Sequence, residues 1–297
     1  MSLGSMALKF RQKYGQGVRV AYWRDMVRPR ILRTPPIDGL ADDRCEIHAM
    51  TSGVDWLNLI WALKSFYAVS QRRYKLCIHE DGSVEDGAID RLKTHFPCAR
   101  VIRRADADRR LAAKLAGYPR CAEFRRTNLL SPKVFDPAEY LEAGRMLLLD
   151  SDVLFFRAPD VLLHRIDDPQ YQANSFNPDC ASGYTISPSD ALSFLGLELA
   201  ARVNSGLGLV HPQSMRLDWI EEFLGAPGLV AGHFWRIEQT LFALASSRYG
   251  VELLPDDYAV HLGKGIGPGP CRHYVGAVRH LMYSEGMRRL VREGFLQ

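Results

Sequence analysis

The sequence predicts an α/β protein: a single domain on a mixed, mainly parallel sheet flanked by helices. Three observations predict it. Strand-like and helix-like runs alternate between residues 46 and 103, and parallel neighbours need such crossovers. Met146 to Leu149 are then consecutively apolar, the pattern of a strand covered on both faces. That strand ends in two carboxylates, Asp150 and Asp152, and in open α/β sheets ligands bind outside the carboxyl ends of the strands.

The elements follow in order. Residues 1–6 read as an expression remnant ahead of a native start at Met6. Residues 9–44 are rich in Arg and carry Pro29, Pro35 and Pro36; they read as a basic extension, so that 1–44 precede a domain spanning 45–297. The extension is expected as a solvated arm, with charge enough to touch an anionic membrane surface. Residues 46–51 read as a strand, and 54–69 as a helix with Trp56, Leu57, Ile60, Leu63 and Phe66 at helical spacing. Residues 74–79 and 84–96 repeat strand and helix, and 99–103 make a third strand, so the carboxylate strand is the fourth. Residues 105–140 hold one or two amphipathic helices whose limits are blurred by Pro119, Pro132 and Pro137.

After the carboxylates come a short helix at 156–164, anchored by Pro159, and a polar loop at 167–179. Residues 203–212 read as an apolar strand interrupted by Gly206 and Gly208, which permit close backbone approach. Helices over 213–224 and 235–249 and a late strand at 251–254 follow. The Gly- and Pro-rich stretch 263–270 is expected as a mobile loop, and it does not match the Gly-x-x-x-x-Gly-Lys-Ser/Thr phosphate loop.

Composition narrows the function. An apolar content of 47% in 297 residues suits a globular domain with a sizeable core. The net charge of +4 is compatible with anionic ligands, and no basic-aromatic run marks a nucleic-acid surface. The six cysteines are scattered without a Cys-x-x-Cys pair, which points to reduced thiols in a cytoplasmic compartment rather than disulfides or zinc. No apolar run approaches the ~20 residues needed to cross a bilayer.

Asp150 and Asp152 repel each other unless a cation lies between them. Hard oxygen ligands favour Mg2+ or Mn2+, which in turn bind diphosphates. An isolated Asp-x-Asp also caps helices and turns, so the reading needs partners elsewhere in the chain. The ordered set is Asp150-Ser151-Asp152, Asn204-Ser205-Gly206, Glu238-Gln239, and His273-Tyr274-x-Gly276-x-x-Arg279.

This set resembles the GT-A glycosyltransferases, most closely the retaining group that includes glycogenin and the bacterial lipopolysaccharide glucosyl- and galactosyltransferases. The resemblance spans roughly residues 46–279. It implies a metal-dependent transfer of a sugar from a nucleotide sugar, most readily a UDP-sugar, to a glycan, lipid-linked or protein acceptor, with retention. It implies work in bacterial polysaccharide assembly, in the cytoplasm or at the inner face of the membrane. Asp150, Asp152 and His273 would hold Mn2+ or Mg2+, and Asn204, Glu238 and Gln239 would hold the donor sugar and serve catalysis. Thr51, Asp81, Lys133, Ser151, Gly276 and Arg279 would bind the donor, Thr51 and Asp81 at its nucleoside and Gly276 and Arg279 at its diphosphate. Glu238 replaces a family Asp and Arg279 a family Lys, and His280-Leu281 stand where the family often continues Pro-Trp.

Two other readings compete. A haloacid-dehalogenase-type phosphatase also carries Asp-x-Asp after an apolar strand, but on the first strand of its core and followed by Gly-Thr, where this chain has Val153-Leu154. A GT-A-like domain that binds a nucleotide or glycan without turnover is the other, suggested by Glu238. Oligomeric state, base, sugar and acceptor are left open by the sequence.

Overall fold

A computed structural model describes residues 14–297, so the expected expression remnant lies outside the described residues. A six-stranded sheet has the order β3-β2-β1-β4-β7-β6. Its strands are β1 (Asp42–Thr51), β2 (Tyr74–Glu80), β3 (Arg100–Ile102), β4 (Met146–Leu149), β6 (Ser175–Pro178) and β7 (Val203–Val210). β1 pairs in parallel with β2 and β4, and β2 with β3, whereas β7 pairs antiparallel with both β4 and β6. Only β7 therefore runs against the rest of this sheet. A two-stranded ribbon joins β5 (Val153–Phe155) to β8 (Cys271–His273), antiparallel.

Helices cover both faces. They are α1 (Val18–Tyr22), α2 (Trp56–Ser70), α3 (Asp86–His95), α4 (Arg104–Leu115), α5 (Pro119–Thr127), α6 (Ser131–Tyr140), α7 (Asp160–Asp167), α8 (Pro188–Leu195), α9 (Leu217–Leu224), α10 (Phe234–Tyr249) and α11 (Arg288–Arg292). Alternate positions of β4 serve opposite cores: Leu147 and Leu149 join one cluster with Ile47, Leu207 and Leu209, while Met146 and Leu148 join another with Phe176, Val203 and Val210. A strand buried on both faces explains why its sequence shows no alternation.

Several sequence expectations are corrected. The basic stretch before the domain is no solvated arm where it is described. Val20, Ile31 and Leu40 are buried in the larger core, and Trp61 Nε1 donates to the Arg28 carbonyl at 2.9 Å. Residues 104–140 form three helices, with Pro119 and Pro132 in first turns, where a missing N–H costs nothing. The polar loop at 167–179 ends in β6, a strand hidden from periodicity because all four of its residues are buried. The late strand at 251–254 reduces to a single bridge between Asn174 and Val251. The stretch 263–270 is irregular but tied down: Arg272 donates to the Gly263 carbonyl at 2.6 Å and pairs with Glu285, which accepts from Gly265 N at 2.8 Å.

Candidate active site

The strand order changes direction between β1 and β4, and such a switch point leaves a crevice outside the carboxyl ends of the strands. Thr51 closes β1, Asp81 follows β2 and Asp150 follows β4. All three line one cleft of about 800 Å³, together with Lys133, Ser151, Asp152, Asn204, Glu238, Gln239, His273, Gly276 and Arg279. All twelve residues singled out from the sequence thus meet there.

Pairing register brings the cluster together. Asp150 N donates to Gly206 O at 2.8 Å, continuing the β4–β7 ladder and setting Asn204 to Gly206 beside the first carboxylate. In the ribbon, Val153 pairs with His273 and Tyr274 N donates to Asp152 O at 2.9 Å, so the imidazole arrives beside the second. His273 Nε2 lies 3.1 Å from Asp152 Oδ1 and 3.9 Å from Asp150 Oδ2. Gly206 makes room for this ring, since a Cβ there would sit 2.1 Å from His273 Cε1.

One ligand atom from each of Asp150, Asp152 and His273 lies within 4.8 Å of the others. Two carboxylates and an imidazole suit a hard-to-borderline divalent cation such as Mn2+ or Mg2+. The remaining ring nitrogen fits the same role: Nδ1 lies 2.8 Å from Asn204 Oδ1, which accepts its proton and leaves Nε2 to face the carboxylates.

Cations flank the cluster. Lys133 on α6 donates to Asp150 at 2.7 Å and lies 3.4 Å from Glu238. Arg279 donates to Asp152 at 2.6 Å and to Asp55 at 3.2 Å. Burial opposes charge on every group here, and neighbours decide each outcome. Burial alone would raise the Asp152 carboxyl, but His273 and Arg279 hold it well below the usual carboxylate range. Burial would lower His273 and Lys133, yet the facing carboxylates raise both, Asp152 foremost for His273 and Asp150 for Lys133. Burial leaves Glu238 above an ordinary carboxyl in spite of Lys133 and the Ser205 hydroxyl, which donates to it at 3.0 Å.

The sequence missed two members of the site. Asp179 Oδ2 accepts from Asn204 Nδ2 at 3.0 Å and from Gln239 Nε2 at 3.2 Å, joining the two residues expected at the donor sugar. It immediately follows β6, so the rule that marked Asp150, a carboxylate closing a strand, marks Asp179 once β6 is recognised. Asp55, just before α2, is the second anchor of Arg279, and no motif announces it. Leu129, Leu130, Phe234 and Trp235 add an apolar wall.

No family model matches this chain, and no curated protein matches it in sequence. Solved structures do match in fold. The architecture is that of the GT-A nucleotide-sugar transferases. The chain resembles the galactosyltransferase LgtC, solved with donor and acceptor sugar analogues, at a TM-score of 0.58 and 14% identity over 85% of this chain and 96% of that one. Mouse xyloside xylosyltransferase 1 in its apo form matches at 0.52 and 13%, over 78% of this chain and 98% of the other. The bifunctional glycosyltransferase WbbM matches at 0.51 and 13%, over 86% of this chain and 53% of that one. This is the fold the glycosyltransferase resemblance requires, and it leaves the phosphatase reading without its own.

Proposed function

We propose that this chain transfers a sugar from a nucleoside-diphosphate donor, a UDP-sugar first, to a glycan, lipid-linked or protein acceptor, with retention. One observation carries the reading: Asp150, Asp152 and His273 converge with two cations and with the Asn204–Asp179–Gln239 triad in a single cleft at the switch point of a GT-A sheet. Departure of the diphosphate builds negative charge on the leaving group, so electropositive groups fixed beside it lower the barrier most. A divalent cation held by Asp150, Asp152 and His273 would supply Lewis-acid stabilisation of that charge.

The chain's own residues do the rest. Arg279 offers a planar fork suited to phosphate oxygens, and Asp55 fixes its guanidinium from behind. Gly276 leaves open space at the cleft wall, with nothing within 4 Å of a Cβ placed there. Thr51 Oγ1 is buried without a hydrogen-bond partner, ready for the nucleoside, and Asp81, whose N–H donates to the Thr51 carbonyl at 3.1 Å, stands beside it. Asn204 and Gln239, oriented by Asp179, present amide groups to the sugar, with Glu238 and Lys133 beneath. The resemblance to lipopolysaccharide transferases supports a cytoplasmic role in bacterial polysaccharide assembly. Among the described residues no helix is long and apolar enough to cross a membrane.

A thermal-shift screen with UDP, GDP, CMP and dTDP, each with and without Mn2+, tests the reading, because a ligand of the native state raises its melting temperature. A Mn2+-dependent rise with one nucleoside diphosphate is expected, followed by hydrolysis or transfer of the matching nucleotide sugar. Absence of any shift, with a working binding control, overturns it.

A further inference from the structure

Away from the cleft, the sheet buries a second set of ligating side chains. In the parallel register of β1 and β2, His48 stands opposite Cys77 and Met50 opposite His79. His48, Cys77 and His79 therefore share the face against which α6 packs. All three are buried, and one ligand atom from each lies within 4.8 Å of the others. His48 Nδ1 and His79 Nε2 face each other at 2.9 Å. The two outer nitrogens face carboxylates: His48 Nε2 is 3.4 Å from Glu46 Oε2, and His79 Nδ1 is 3.7 Å from Asp136 Oδ2. Each carboxylate is held by an arginine, Glu46 by Arg100 at 2.6 Å and Asp136 by Arg125 at 2.5 Å.

Proton counting shows what this row lacks. Carboxylate, imidazole, imidazole, carboxylate makes three junctions, while two neutral imidazoles bring only two N–H protons. With one proton between the rings, one outer nitrogen meets a carboxylate as a bare lone pair. His48 Nε2 and His79 Nδ1 are both buried without a hydrogen bond, a costly state for polar atoms shut away from water. A cation between the rings removes the conflict. Both lone pairs turn inward to it, and both protons turn outward to Glu46 and Asp136, which is how metal-bound histidines are generally braced.

The geometry points to a structural site for a thiophilic first-row cation of the Zn2+ kind, held by His48, Cys77 and His79. Two imidazoles and a thiolate form a softer set than Asp150, Asp152 and His273, and they select against Mg2+ and Mn2+. Two nitrogens on one tetrahedral zinc stand about 3.3 Å apart, so the rings need part by only a few tenths of an ångström. On binding, the Cys77 sulfur bonds to the metal and its proton leaves to solvent. Three protein ligands leave one position of a tetrahedron to water. The site would tie β1 and β2 to α6, where Asp136 lies one turn beyond the Lys133 that reaches the cleft.

The test is a Co2+ titration of the chelator-treated full chain, read by its absorption spectrum. The site predicts a thiolate-to-cobalt charge-transfer band that saturates at one equivalent, survives Asp152→Ala and disappears in Cys77→Ser. Absence of the band from the unsubstituted chain overturns the proposal, as does its persistence in Cys77→Ser. Should Cys77→Ser not fold, zinc-edge X-ray absorption on the unsubstituted Zn2+-loaded chain decides: a bound sulfur is expected, and coordination by oxygen and nitrogen alone overturns the site. Cys180 lines the cleft that holds Asp150, Asp152 and His273, so survival of the band in Asp152→Ala together with its loss in Cys77→Ser is what assigns the sulfur to Cys77 and keeps the result independent of the proposed function.

Discussion

Asn204 Oδ1 lies 2.8 Å from His273 Nδ1, and the same asparagine donates through Nδ2 to Asp179, which fixes which of its ends faces the ring. The imidazole is thereby held with its proton on Nδ1 and with Nε2 toward Asp150 and Asp152. Asn204→Ala removes that brace, and the contact to Asp179 with it, while leaving the two carboxylates that face the metal, Asp150 and Asp152, in place. Loss of a residue that orients a metal-bound histidine typically costs about 10- to 100-fold in affinity. Calorimetric titration with Mn2+ should show a loss of that order with the melting temperature of the free protein little changed. An unaltered affinity would remove His273 from the metal set.

Gly206→Ala attacks the same ring from the other side. The added Cβ would meet the imidazole at 2.1 to 2.8 Å, closer than any non-bonded contact allows, so His273 must leave its place between the strands. Mn2+ binding and the Mn2+-dependent nucleotide shift should both vanish. Gly276→Ala makes the contrast, because nothing lies within 4 Å of its Cβ. It should keep Mn2+ affinity while weakening nucleoside diphosphate binding, a split that isothermal titration resolves.

Lys133 is the shared counter-ion of Asp150 and Glu238, the second of which is buried. Lys133→Met leaves Glu238 charged and unpaired, or forces it to take up a proton, and breaking a buried pair costs about 3–5 kcal/mol. Adding Glu238→Gln should restore most of that stability without restoring activity. Urea denaturation of the two variants reports the coupling. If the double variant were no more stable than Lys133→Met alone, the ion pair would not be what holds α6 against α10.

Much of this site was legible because its residues sit where secondary structure ends, and those ends are marked by charge or glycine. Asp150 and Asp152 break an apolar run, Gly206 interrupts another, and Glu238-Gln239 lie near the start of α10 within its buried stretch. Asp179 escaped because β6 is polar and wholly buried, so neither periodicity nor hydrophobicity announces it. Asp55 escaped because its role is set by a guanidinium 224 residues away. The segment from Val18 to Leu40 was misjudged for a similar reason. Its arginines and prolines dominate the composition, while the few side chains that anchor it, Val20, Ile31 and Leu40, are too sparse to form a period. Burial of that kind depends on what the segment meets in space, and local sequence does not encode it.

The joint between that segment and α3 has its own pH signature. His95, the last residue of α3, is 4% exposed, and its Nδ1 lacks a hydrogen bond while its carbonyl accepts from Ile37 N at 2.8 Å. Burial, then the nearby Lys64 and Arg91, push the imidazole down to about 4 from its ordinary 6.5. The folded chain thus refuses a proton that the unfolded chain accepts between pH 6.5 and 4. The stability contributed by the neutral ring is fully present above pH 6.5 and is lost as pH falls through that window. At about 1.4 kcal/mol per pH unit the loss amounts to at most about 3 kcal/mol. His95→Gln cannot take up that proton, so its unfolding free energy should fall less steeply between pH 6.5 and 4 than that of the unsubstituted chain. Parallel profiles from urea titrations across this range would show that the ring is solvated in the native state and that the joint with Ile37 is open to water.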